Sequence, residues 1–201
     1  MQNFAKVLNC FFIVVFLIGC QPEPDPLESQ VIQDFGCDAP SESLYILPYT
    51  VGESYQLIQG NCGSFDHTGH FRYGFDFEMP IGTVVIAAMT GFVNTVVEGF
   101  TDDEHNFGQE NRIFIEHEDG TFGRYLHFTN NGVTVEPGEL VLRGQPIGFS
   151  GNSGYSSTPH LHFDVVRCIT SCNDVETVPV GFINADEQVP TKHIDYEALP
   201  Y

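Results

Sequence analysis

From residue 70 onward the apolar runs of this chain are short. "TVVIAAMTGFVNTVVEG", "RIFIEHEDGTFGRYLHF" and "GVTVEPGELVLRGQPIGFSGNSG" carry β-branched and aromatic residues at near-alternating positions, cut by Gly, Pro, Asn or Asp. Turn signals at roughly eight- to twelve-residue spacing are too close together for helices, and no stretch there sustains a helical period. Mainly antiparallel β structure is expected. "HEDGTF" reads as a hairpin turn at Asp119-Gly120, "EPGEL" as a turn at Pro137-Gly138, and "TDDEHNFGQEN" as a polar loop.

The N-terminus is of another kind. "MQNFAKVLNCFFIVVFLIGC" has one Lys near its start and then an apolar run, a targeting signal too short and wrongly flanked for a transmembrane span. Leu17-Ile18-Gly19-Cys20 resembles the bacterial lipobox, which is cut before a cysteine whose sulfur already carries lipid. Residues 1–19 are therefore expected to be a lipoprotein signal peptide, and Cys20 the lipidated new N-terminus. Residues 20–40, Pro-rich and acidic, read as anchor and flexible tether, and 41–201 as one domain long enough for a core. The expected location is the cell envelope, anchored to a bacterial membrane and facing the periplasm or the exterior.

Four cysteines remain outside the signal: Cys37, Cys62, Cys168 and Cys172. An even set in an exported chain argues for disulfides, with three pairings open. The close spacing of Cys168 and Cys172 suits a small loop, leaving Cys37 with Cys62. The net charge of −20 speaks against nucleic acid, whose affinity comes from Lys and Arg on phosphates.

"STPHLHFDVV" spends two strand positions on imidazoles. Alternation puts His160 and His162 on one face and Leu161 and Phe163 on the other. Asp164 shares the histidines' face, as a partner to one of them or as a surface acid. Upstream, "SFDHTGHFRYGFDFEMPIGTVV" carries His67-Thr68-Gly69, then Asp76, then Pro80 and Gly82-Thr83 ahead of an apolar strand, and "GTFGRYLHF" carries His127 after Tyr125. In this order the motifs resemble those of the lysostaphin-like (LytM-type) zinc metallopeptidases over roughly residues 62–166. The family's pattern is a His and an Asp ahead of a P-x-G-T-x-V strand, an aromatic-x-His segment, and a G-x-S-G…PHLHF ending.

The resemblance implies an antiparallel β-sheet domain of barrel-sandwich type, with a groove that holds one zinc ion. It implies His67, Asp76 and His162 as metal ligands and His127 and His160 as catalytic histidines. The implied activity is endopeptidase cleavage of peptidoglycan peptide stems by a monomer. One departure stands out. The commonest pattern, His-x-Gly-x-Asp, would put a ligand at position 72, and Arg72 cannot bind a metal. Either a lengthened loop lets His67 keep the role, which is the expectation because loops tolerate insertion, or His70 takes it. Two imidazoles and a carboxylate leave a fourth tetrahedral position open, the catalytic form of a zinc site.

Other histidines have blander expectations: His117 caps a hairpin, and His105 and His193 are solvated. Gly82, Gly148, Gly151 and Gly154 serve backbone geometry. An inactive LytM-type module that activates another hydrolase is the alternative, and Arg72 is its only support. "VEPGELVLRGQPIG" also resembles the strands of a lipoyl or biotinyl carrier, but Lys192, the sole lysine after the signal, lies far from it.

Overall fold

The structure is a computed structural model, described here for residues 43–63, 67, 69–171 and 174–201, with the backbone alone at His70, Thr170 and Ser171. The expected signal, Cys20, the tether, Cys37 and Cys172 lie outside the described residues. Cys62 and Cys168 are each disulfide-bonded.

The strands are β1 Ser54–Gln59, β2 Phe75–Glu78, β3 Val84–Ile86, β4 Gly91–Val97, β5 Arg112–Glu116, β6 Phe122–Leu126, β7 Phe128–Val133, β8 Leu140–Val141, β9 Pro146–Ser150, β10 His160–Ser171, β11 Asp174–Thr177 and β12 Asp195–Glu197. A 3-10 turn at Gly69–Phe71 is the only helical element among the described residues. Nine strands form one sheet in the order β12-β1-β2-β10-β6-β5-β4-β8, with β11 also on β10, and β3-β9-β7 form a second. The strand pairings are antiparallel. The turns fall where the sequence puts them: Gly120 (φ 79°) closes the β5–β6 hairpin and Gly138 (φ 89°) the turn between β7 and β8. Glycine takes these left-handed conformations without a Cβ clash.

Strand β10 organises the large sheet. Along His162–Val166 it pairs with β6, while on its other side β2 takes its first residues and β11 its last. Leu161, Phe163 and Val165 point into the core and are fully buried. There Phe163 meets Tyr125 of β6 at 5.0 Å between ring centroids, and Phe75 of β2 meets Phe182 at 4.9 Å. Each such side chain contributes about 1.5–3 kcal/mol by leaving water, so the register of β2, β10 and β6 is set by apolar packing on one face. Val85, Phe128 and Ile147 of the small sheet join the same core.

Fixing the inner face fixes the outer one. Asp76 of β2 lies opposite His162 of β10, which lies opposite Leu126 of β6. One step along, Asp164 lies opposite Arg124, and Arg124 opposite Phe114 of β5. Between β6 and β7 the chain leaves the large sheet for the small one at His127, whose φ is 71°. A non-glycine residue in this region costs about 1–2 kcal/mol. Simple alternation would send His127 to the core side with Tyr125; the left-handed backbone breaks that alternation.

Candidate metal centre

His67, Asp76 and His162 are all buried, and one donor atom from each lies within 4.8 Å of the other two. Asp76 is central. Its Oδ1 is 2.7 Å from His162 Nδ1, its Oδ2 is 3.1 Å from His67 Nε2, and Gln59 Nε2 donates to Oδ2 at 3.0 Å. Burial alone would raise the Asp76 carboxyl, but its contacts with His162 and His67 outweigh that and hold it well below the usual carboxylate range.

The outward nitrogens fix what the inward ones can do. His67 Nδ1 lies 3.2 Å from the carbonyl oxygen of Gly60, which only accepts, so Nδ1 carries the proton. Its Nε2 faces Asp76 Oδ2 across 3.1 Å, yet this buried nitrogen meets no partner in hydrogen-bond geometry. A buried imidazole nitrogen without a hydrogen bond beside a carboxylate oxygen is what a cation between them would satisfy. His162 is similar: its Nε2 is 3.1 Å from Asp164 Oδ2. Burial would lower its pKa, yet carboxylates on both nitrogens raise it to about 9, a sign that the site wants positive charge. Two imidazole nitrogens and a carboxylate suit zinc, with bonds of about 2 Å. His67, Asp76 and His162 would hold it.

Beside the trio stand His127 and His160, with ring centroids 4.5 Å apart. Each points one nitrogen into the protein. His127 Nδ1 donates to Ser153 O at 2.7 Å, and His160 Nδ1 to Thr158 O at 2.8 Å, with Ser156 Oγ at 3.0 Å. The Nε2 of His127 is thereby left as an acceptor, and that of His160 lies 3.9 Å from Asp76 Oδ1. Burial, reinforced by neighbouring His160, pushes His127 down to about 3, so it stays neutral in ordinary buffers. These rings border a groove with two hollows of about 470 and 190 Å³ that share His127, Tyr155 and His162. The larger is polar-lipped, with Gln59, Ser157 and Thr158; the smaller is flanked by Phe71, Phe107 and Leu126.

All five residues named from the sequence thus meet in one place. His117 sits at the β5–β6 hairpin as expected, its backbone closing the turn with Thr121 and Gly120 and its Nδ1 donating to Thr90 O at 3.0 Å. His193 is exposed. His105 is exposed too, but it lines the larger hollow, a placement that the polar loop around it did not announce. Sequence reasoning also missed the supports. Asp102 accepts the Asn152 N–H at 2.7 Å, Asn152 Oδ1 accepts the Ser156 hydroxyl at 2.7 Å, and Ser156 touches His160. The polar run "GNSGYSST" just before the His pair was their only signal.

The sequence model of Peptidase family M23 matches residues 70–176. Over 118 residues the chain is 42% identical to the glycyl-glycine endopeptidase ALE-1 of Staphylococcus capitis, which covers 58% of this chain and 30% of that protein. Over 93 residues it is 38% identical to the peptidoglycan DD-endopeptidase ShyA of Vibrio cholerae, covering 46% of this chain and 20% of that one. The chain spans less than a third of the length of the curated relatives it matches. The catalytic domain of the prophage-encoded M23 protein EnpA from Enterococcus faecalis, solved as a point mutant, superposes with a TM-score of 0.51 at 22% identity. That overlap takes in 66% of this chain and 93% of that one and is a likeness of fold alone. His67 lies just ahead of the matched segment, which holds Asp76, His127, His160 and His162 and more than half of the residues: the chain belongs to peptidase family M23.

Proposed function

We propose that this chain is a zinc-dependent endopeptidase, one ion per chain, that hydrolyses peptide cross-links of bacterial peptidoglycan. The observation that carries this reading is the buried His67–Asp76–His162 trio, with an unbonded His67 nitrogen beside the Asp76 carboxylate and two more histidines next to it. When bound, zinc supplies a Lewis acid that polarises the scissile carbonyl and brings the pKa of water toward about 7. His127, neutral and with Nε2 as acceptor, orients the attacking water. His160, held by Thr158 and Ser156, takes a proton from that water and passes the same proton to the leaving amine. The groove on either side gives an extended peptide a place to lie.

The same reading takes in the chain's other expectations. Cys20 carries a lipid that holds the domain against the wall, Cys37 pairs with Cys62 and Cys168 with Cys172, and the domain works as a monomer. The test is to incubate the zinc-loaded protein with intact peptidoglycan and weigh the products. Peptide fragments should appear with glycan strands uncut, stop with a chelator and return with zinc. Their masses tell a D-Ala–diaminopimelate bond from a glycyl bridge. A folded, zinc-loaded protein that frees no fragment yet switches on a partner amidase would instead be an activator.

A further inference from the structure

Asp164 lies two residues beyond His162 on β10 and is fully buried. Its Oδ2 is 3.1 Å from His162 Nε2. Directly opposite on β6, Arg124 grips it with two donors, Nε to Oδ1 at 2.7 Å and Nη2 to Oδ2. The guanidinium in turn lies over the rings of Phe71, at 5.2 Å, and Phe114, at 6.0 Å. Phe71 meets His162 edge-on with ring centroids 5.5 Å apart. Arg124, Asp164, His162 and Phe71 therefore close a circuit behind one ligand of the metal centre.

Stability is a weak reason for such a pair, since apolar residues of like volume often serve as well or better in its place. Its chemistry gives a stronger one. Held ionised by Arg124, Asp164 only accepts hydrogen bonds, so His162 Nε2 must carry a proton. In the neutral ring the lone pair then falls on Nδ1, the nitrogen that faces Asp76. Arg124, bonded to both Asp164 oxygens, fixes the carboxylate at the ring edge away from Asp76.

We infer that the Arg124–Asp164 pair is a positioning device: Asp164 commits His162 to the Nε2–H tautomer, and Arg124 fixes Asp164 in place to do so. The inference rests on the reading of the trio as a zinc site.

Asp164→Asn tests it with little change of shape. Arg124 still demands an oxygen, so the amide turns its NH₂ toward His162 Nε2, which must then accept, and the ring proton shifts to Nδ1. Zinc affinity of the full chain, measured by competition with a chromophoric chelator, should fall about 10–100-fold. The low-field Nε2–H proton resonance of His162 in the zinc-loaded protein should vanish. Arg124→Lys keeps the charge but loses the fork, so affinity should fall less and the resonance remain. A pair that only supports the fold would lower the unfolding midpoint of both variants while zinc affinity and the resonance stay unchanged. That result overturns the inference and leaves the zinc site standing. If Asp164→Asn does not fold, unchanged affinity in Arg124→Lys overturns it alone. Wild-type protein that takes up no zinc overturns the zinc site and the inference with it.

Discussion

Adding one methyl group should disable this site without touching any of its donors. Gly74 precedes β2, and a Cβ built on it would lie 2.7 Å from Cε1 of His162 and 3.2 Å from Cε1 of His67. Its φ is outside the left-handed region, so alanine suits the backbone and the penalty is contact alone. Ordinary contact starts at 3.4 Å, so the His162 ring must retreat by some 0.7 Å, the gap between 2.7 and 3.4 Å. It has little room, being buried with Phe71 edge-on to it and Asp164 at its far nitrogen. Overpacking of this kind costs about 1–3 kcal/mol, and the stiffer unfolded chain returns about 0.4–1 kcal/mol. Net stability should drop by about 1–2 kcal/mol, leaving a folded protein. The site should suffer more, because metal–ligand distances tolerate only about 0.2 Å and misplacement near 1 Å costs about 100-fold in rate. Gly74→Ala is expected to lose about 10–100-fold in turnover on peptidoglycan, with weaker zinc binding by chelator competition and a modest shift in urea unfolding. Wild-type zinc affinity and turnover in this variant would show that the ligand rings are not packed as described.

Other expectations are separable from that one. Asp76→Ala and His162→Ala should lose zinc, with His67→Ala far worse than His70→Ala, whereas His127→Ala and His160→Ala should keep zinc and lose turnover; zinc retained in His67→Ala but absent in His70→Ala reverses the ligand choice. Zinc uptake should release about one proton from His162, whose metal-free pKa is about 9, so affinity should rise with pH up to that point, and calorimetry in buffers of different ionisation heat should register the proton. His127 is neutral in the fold down to about 3 but titrates near 6.5 once unfolded. Below pH 6.5 the unfolded chain therefore gains a proton that the fold refuses, and stability falls with pH by about 2 kcal/mol at pH 5. Metal-free His127→Leu should lack that increment in urea unfolding at pH 5 against pH 7, and equal slopes for both proteins would refute it. Replacing Cys20 by Ala should leave unlipidated protein, and membrane partitioning like that of wild type would sink the anchor.

What the sequence disclosed was mostly what alternation governs. His160, His162 and the intervening Leu161 fell on the faces that a period of two requires, and the turns at Gly120 and Gly138 followed from residues that tolerate a left-handed backbone. Asp164 was legible only as a choice between partner and surface acid. The decision lay in Arg124, forty residues away, brought opposite it by the pairing of β6 and β10. His127 illustrates another limit: its nitrogen reaches Ser153 because the backbone bends there, and strand patterning carries no sign of that bend. His105 joined the groove through the path of a loop, where no period exists to be read.

The double-sided burial of β10 has a bearing on how such a protein fails and how it varies. Slipping that strand by one residue would drive two imidazoles into the apolar interior and push Leu161 and Phe163 out. In the wild-type chain, folding of β10 in register and alignment of its two histidines are thus a single event. Specific activity should accordingly follow the folded fraction of a preparation. Heritable change is channelled the same way: the strand pair is closed to drift, while the loops bearing Phe107, Tyr155 and His105 can be rewritten to admit a different peptide.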